Sequence, residues 1–337
     1  MKNVFVFALI LLSISNFSLA AEEVNLYSAR KEALIKPLLD AFTSDTGITV
    51  NIISSKADAL LKRIQSEGIN SPADVLLTTD AGRLHRAKQA GVFAKIDSQV
   101  LTDNIPAQYR DVDQQWFGLS VRVRAVMMVA AAESKPLIRY EDLASDKYKG
   151  AICIRSSDNI YNQSLVASMI DAIGETETEN WARHLVSNMA RKPQGGDRDQ
   201  IRAAAAGQCS IAIANNYYLA QMLANVENEI DYLAAKKMKL VWPNQADRGA
   251  HVNISGAGVL QHAPNPANAI KLIEYLVSDT AQKIYADVNL EFPVKKDIAV
   301  NPILAHWGSF KADSIALNKL GENNAAAVRL MDRAGWK

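Results

Sequence analysis

Leu119-Ser-Val-Arg122-Val-Arg124-Ala-Val-Met-Met-Val-Ala130 is a long apolar run broken only by two arginines. Valine favours the pleated conformation, and Trp116-Phe-Gly118 leads into the run, so it reads as one extended strand. A second strand is expected over 251–260, where Ser255-Gly-Ala-Gly258 allows close approach of backbone. One long strand in mid-chain and another past residue 250 suggest two crossings between two α/β lobes. A cleft would lie between the lobes, lined by loops at strand ends. Open α/β sheets bind ligands at the carboxyl ends of strands, and domain interfaces are favoured pockets.

Strand and helix alternate on the N-terminal side of the long run. Residues 24–27 read as a short strand, and 31–45 as a helix with apolar positions 35, 38, 39 and 42 on one face. Strand 48–54, helix Ala57–Glu67, strand 74–78 introduced by Pro72, and helix 81–90 follow. This order argues for a parallel sheet covered on both faces. A second α/β block extends to about residue 244, with helices at 163–173 and 178–189, the latter carrying Trp181, Leu185 and Met189. Helices at 267–277 and 281–286 and a closing helix from about 314 to 334 complete the chain. The expected fold class is α/β with two lobes. The first lobe takes 21–121 plus about 246–296, and the second about 122–245 plus 297–337.

Residues 1–20 have the form of an export signal. Lys2 is followed by an apolar stretch over 4–12 and by Ser18-Leu19-Ala20, a small-residue cleavage site. The apolar stretch is too short for a permanent membrane helix, and no cysteine follows the cleavage site to accept a lipid. The mature chain is expected to begin near Ala21 and to be soluble outside the cytoplasm. Lys2 is the only ionisable side chain of the leader, so its loss from the 37 Lys and Arg leaves as many bases as the 36 Asp and Glu. That balance provides no basic footprint for nucleic acid or an acidic membrane surface. The 337 residues suffice for two domains.

Enzymatic signatures are missing from the sequence. There is no Gly-x-Ser-x-Gly elbow, no phosphate loop, no Gly-x-Gly-x-x-Gly after the first strand and no His-Glu-x-x-His. The five histidines, at 85, 184, 251, 262 and 306, have no mutual metal-ligand spacing. A binding protein is therefore expected rather than a secreted hydrolase.

Cys209-Ser-Ile-Ala-Ile-Ala-Asn-Asn-Tyr217-Tyr218 reads as a short apolar strand that breaks at two asparagines and then presents two phenols. Two adjacent phenols at the start of a helix can be ordinary core aromatics. They can also point together into a cleft, and hard, highly charged cations prefer anionic oxygen ligands to thiolate or thioether. Cys153 precedes Tyr161 by the same offset as Cys209 precedes Tyr217. Equal offsets suggest neighbouring strands that deliver Tyr161 and Tyr217 to one edge. A Cys153–Cys209 disulfide needs Cα atoms within about 7 Å; the alternative is two buried thiols. A count of free thiols in the unfolded, unreduced protein separates the two.

Six stretches together resemble the periplasmic ferric-iron-binding proteins of ABC importers. They are Leu26-Tyr-Ser-Ala-Arg-Lys-Glu32, Pro72-Ala-Asp-Val-Leu76, Trp116-Phe-Gly-Leu-Ser-Val-Arg-Val-Arg124, Ser156-Ser-Asp-Asn-Ile-Tyr-Asn-Gln163, Ala214-Asn-Asn-Tyr-Tyr218 and Ile254-Ser-Gly-Ala-Gly258. The similarity runs in order from about Val24 to the C-terminus. It implies a two-lobed periplasmic binding protein fold of type II, a ferric ion as cargo, and delivery by a monomeric carrier to a permease of the inner membrane. Tyr217 and Tyr218 match the family's paired tyrosinate ligands, and Tyr161 a third tyrosine used by one branch. Other branches use a histidine and a glutamate, where this chain has Arg30 and Thr79. A further branch has an additional tyrosine where Glu32 stands here, leaving Glu32 as a possible extra ligand. Tyr27 is more readily a strand residue than a ligand.

In the branch that Tyr161 matches, a synergistic anion, usually carbonate, completes the coordination. Ferric ion and three phenolates cancel in charge, so carbonate requires cations nearby. Arg30 and Arg122 are candidates because guanidinium donates in a planar fork, and Arg124 shares a face with Arg122 by strand alternation. The competing reading keeps the fold but changes the cargo to another small solute: an oxyanion, an iron chelate, or a thiamine- or polyamine-like cation. Titration with ferric salt, with and without bicarbonate, discriminates between them.

Overall fold

The computed structural model describes residues 22–130 and 138–337, so the leader expected over 1–20 lies outside the described residues. The first strands and helices fall close to where the sequence places them. Glu23–Ser28 (β1) is followed by Glu32–Thr46 (α1), Thr49–Ser54 (β2), Ala57–Glu67 (α2), Val75–Thr79 (β3) and Ala81–Gln89 (α3). Helix α1 buries Ile35, Leu38, Leu39 and Phe42, the apolar face read from the sequence, and stops at Gly47, whose φ of 75° is left-handed. A short helix, Gln99–Asn104 (α4), precedes the long strand Phe117–Val129 (β4).

Beyond it come Ile152–Cys153 (β5), Ile160–Ile173 (α5), Glu175–Ser187 (α6), Asp197–Ala205 (α7), Ile211–Asn215 (β6), Asn216–Ala224 (α8), Glu229–Lys236 (α9) and Met238–Val241 (β7). The return strand Val252–Val259 (β8) leads to Pro266–Tyr275 (α10), Asp279–Asp287 (α11) and Phe292–Pro293 (β9). The helix expected over 314–334 is not one helix. Pro302–His306 (α12) stands apart, and Asn318–Glu322 (α13) and Asn324–Arg333 (α14) meet at Asn323. Helix α13 packs on α3 and α5, and α14 on α5 and α6. Close approach explains the break: a Cβ at Gly321 would come within 2.3 Å of the His85 side chain on α3.

The strands run β2-β1-β3-β8-β4-β6-β5, with β7 and β9 also pairing with β4. Strand β1 is parallel to β2 and β3, as the alternating pattern requires, and β8 inserts antiparallel between β3 and β4. Strand β4 joins the two lobes of this type II fold. Its first part, through Val123, pairs with β8, and Arg124 to Met128 pair with β6. All of β4 except Val129 is buried, which accounts for the near-continuous apolar run.

Strands β5 and β6 are parallel neighbours, with Cys153 opposite Ala212 rather than Cys209. The Cys153 and Cys209 sulfurs are bonded, with Cα atoms 6.0 Å apart. The covalent tie thus links β5 to the chain just before β6. Among the described residues, no helix is long and apolar enough to cross a membrane.

His251 enters β8 from the interior, 2% exposed. Burial, then the Arg124 and Arg248 guanidinium groups, depress its pKa from 6.5 to about 3. The unfolded chain takes up this proton near the ordinary value, while the folded protein resists it until far lower pH. This contribution to stability is complete above the unfolded value and is lost as pH falls toward the folded one, at about 1.4 kcal/mol per pH unit. Urea denaturation between about pH 6 and pH 4 should show His251→Gln flattening the pH slope by that amount. An unchanged slope would mean that the folded protein protonates His251.

Candidate metal centre

Strand β6 ends at two asparagines, and each has a structural task. The Asn215 side chain accepts from Arg124 Nη1 at 3.2 Å, and its N–H donates to Asp197. Asn216 Oδ1 accepts from the Val123 N–H of β4 at 2.9 Å. The first turn of α8 is thereby fixed to the joining strand, and this turn carries Tyr217 and Tyr218. The strand thus breaks at the asparagines, as the sequence suggests, and the two phenols that follow are helical residues. Their rings lie 4.2 Å apart, centroid to centroid.

Tyr161 is placed by parallel logic. It occupies the first turn of α5, where Asn159 caps the helix by accepting from the Tyr161 N–H. The next residue, Asn162, is fully buried; it donates to the Arg155 and Ser156 carbonyls and accepts from Arg124 Nη2 at 2.7 Å. All three tyrosines thus stand at helix N-termini, where the backbone dipole favours negative charge.

They converge on one cavity of about 220 Å³, whose other lining residues include Arg30, Thr79, Arg83, Arg122, Arg198 and Glu291. Tyr217 is buried, while Tyr161 and Tyr218 are partly exposed. Burial, and then the neighbouring phenols of Tyr161 and Tyr218, push the Tyr217 hydroxyl well above its ordinary pKa of 10.0, with Arg122 pulling against them. Tyr218 is also raised, by burial and then by Tyr161 and Asp197. Both phenols are therefore protonated at neutral pH until a cation compensates the charge. Among the described residues, no group of three His, Cys, Asp or Glu forms a metal cage.

Arg122 forms part of the cavity wall. Its guanidinium lies over the Tyr161 ring at 5.5 Å and donates to the Ile254 carbonyl. Burial opposes the cation, but Tyr161, Glu291, Tyr217 and Asp80 around it hold its pKa above the arginine norm. Arg30 also lines the cavity, donating to Ser255 Oγ and, at 2.9 Å, to Glu291. Arg124 does not line it. Alternation puts Arg124 on the same strand face as Arg122, but Asp197, Asn162 and Asn215 engage its guanidinium deep in the interior. Glu32 is exposed at the start of α1, outside the cavity. Tyr27 is buried in the first lobe, donating to Glu67 at 2.9 Å.

Sequence reading missed two carboxylates. Glu291 sits after Leu290, a non-glycine residue at φ 57°, and this turn brings a lone carboxylate inward with no periodic signal. Asp80 had a local signal, an aspartate immediately before a helix. It caps α3 by accepting from the Gly82 N–H, at a φ of 89° that costs roughly 1–3 kcal/mol for a residue other than glycine.

The profile of the bacterial extracellular solute-binding protein family matches residues 70–311, and the chain belongs to that family. The iron uptake protein A1 of Synechocystis is 47% identical over 94% of this chain and 88% of its own length. A solved Trichodesmium structure, of IdiA (FutA) with iron and citrate, superimposes with a TM-score of 0.89 at 49% identity, covering 94% of this chain and all of that one. The apo ferric ion-binding protein A of Pasteurella haemolytica gives 0.87 at 45% identity, over 94% of this chain and 98% of that one.

The Arg30–Glu291 pair is 2% exposed on both sides, so removal of one partner strands a buried charge. Glu291→Leu should lower stability by about 3–5 kcal/mol in urea denaturation, and adding Arg30→Met should recover most of the loss. If the double variant were no more stable than Glu291→Leu, an unpaired Arg30 would not be the cause.

Proposed function

We propose that this extracellular solute-binding protein captures ferric ion in the periplasm and delivers it to the permease of an ABC importer. The ligands are the phenolate oxygens of Tyr161, Tyr217 and Tyr218, with an anion completing the coordination beside Arg122. The observation that carries the reading is the convergence of these three phenols, from two helix N-termini, on a cavity with two buried guanidinium groups. Iron named in the Synechocystis, Trichodesmium and Pasteurella proteins supports the same cargo. The leader over 1–20 fits export to that compartment.

Charge balance refines the reading. Three phenolates neutralise ferric ion, so the anion must be balanced by cations of the wall. Arg30 is already paired with Glu291, whereas Arg122 donates to a carbonyl rather than to a carboxylate, which leaves Arg122 as the buried cation free to face an anion. On that count the inner site suits a singly charged oxyanion such as bicarbonate better than carbonate. Arg83 donates to Thr79, and Arg198 to Gln221 at 2.7 Å; among the described residues neither has a carboxylate partner. These two favour a second reading, in which the iron enters with a larger polycarboxylate, and the iron and citrate of the Trichodesmium protein fit it.

Ferric binding displaces phenol protons, so the apparent affinity falls on acidification by roughly tenfold per displaced proton per pH unit. The loaded protein should show a visible phenolate-to-iron charge-transfer band that fades reversibly as pH falls. Tyr217→Phe should weaken ferric binding by about 100-fold or more and remove most of the colour. A colourless ferric-loaded wild type would refute the phenolate assignment. Comparing bicarbonate with citrate as the added anion distinguishes the two readings of the coordination.

A further inference from the structure

We infer that Asp80 is a positioning residue that sets the third tyrosine and the anion-facing arginine relative to each other. The inference rests on the proposed roles of Tyr161 and Arg122. Asp80 is fully buried at the end of β3, in the first lobe, and its hydrogen bonds far exceed those of a helix cap. Ser164 Oγ donates to both carboxylate oxygens, at 2.8 and 2.9 Å. Asn253 Nδ2, on β8, donates to Asp80 Oδ2 at 2.8 Å, and the Gly82 N–H to Oδ1 at the same distance.

Ser164 is on α5, one turn beyond Tyr161, and residues three apart lie on one helix face. The helix is capped from its first residue, so the tie at Ser164 fixes the phenol's origin against the first lobe. The Asp80 backbone acts on the arginine. Its N–H donates to the Ile254 carbonyl at 2.8 Å, and that same oxygen accepts from Arg122 Nη2. A carbonyl has two lone pairs and can serve both donors. The left-handed backbone at Asp80 lets one residue present its carboxylate to α5 and its N–H to β8. Proximity bears this out: the N-terminal turns of α3 and α5 approach closely enough that a Cβ at Gly82 would touch Ile160.

Ser164→Ala tests the tie, since alanine suits a helix interior and the other Asp80 bonds remain. The probe is ferric ion supplied as its nitrilotriacetate complex in bicarbonate buffer. Affinity is read by competition, the phenolate band by absorbance, and the melting point on iron-free protein. The expected result is a loss of ferric affinity of about 10-fold and a weakened or shifted band, with the iron-free melting point nearly unchanged. In a Tyr161→Phe background the same substitution should cause no further loss. Wild-type affinity and band in Ser164→Ala would overturn the inference, as would an equal loss in the Tyr161→Phe background. If Tyr161→Phe alone leaves affinity and band at wild type, the ligand role of Tyr161 fails instead, and the two failures are distinguishable.

Discussion

The buried Arg124 guanidinium is the fixed point of the second lobe. It grips Asp197 at the start of α7, Asn162 in the first turn of α5 and Asn215 at the end of β6. Asp197 in turn accepts from Arg155 at 2.6 Å, so the hub carries two cations and one carboxylate. Burial of charge is costly unless it is paired and hydrogen-bonded, and that demand constrains geometry. Three helix starts can approach one guanidinium in few ways, and the arrangement found aims Tyr161, Tyr217 and Tyr218 at a common cavity. Arg124 thus shapes the site without touching it.

This clarifies what the sequence could reveal. Helix α1 was legible because its four buried residues follow the helical period, a short-range rule. The length of β4 was legible because a strand buried on both faces has no polar alternation. The phenols were legible as a motif just past a strand that breaks at Asn215 and Asn216, since Asn-Asn resembles a strand-ending turn. In the fold these asparagines serve β4 and Arg124, partners about ninety residues away in the chain. Glu291 was hidden for the same reason: its partners are Arg30 and Ser120, and no local pattern announces contacts so distant. Strand alternation correctly put Arg122 and Arg124 on one face, but it cannot say that one meets the cavity and the other the core.

The electrostatics of the cavity oppose an anionic state in the absence of cargo. Burial and mutual repulsion keep the Tyr217 and Tyr218 phenols protonated, and Glu291 cancels Arg30. With its phenols protonated the empty cavity is net cationic, since Arg83, Arg122 and Arg198 line it beside the Arg30–Glu291 pair. On the proposed coordination a trivalent cation would reverse the phenols' preference, because its field outweighs both the desolvation and the repulsion of the phenolates. High charge is then favoured, because a divalent ion would leave one of the three phenolate charges unbalanced within a partly dehydrated site. Hard oxygen donors would also disfavour the softer metals that thiolates capture.

The division of labour between the lobes decides how closure is coupled to cargo. The phenols come from α5 and α8, beyond the joining strand, whereas Arg30, Thr79 and Arg83 come from elements before it and Glu291 from the returning chain. A ligand shifts an opening equilibrium only through contacts that differ between the two states. An ion held by phenols of one lobe alone makes the same bonds open or closed and contributes nothing to closure. The anion is different, since it can touch the ion on one side and the guanidinium groups of the opposite wall on the other. On the proposed coordination it is therefore the anion, rather than the metal, whose binding energy would be converted into closure.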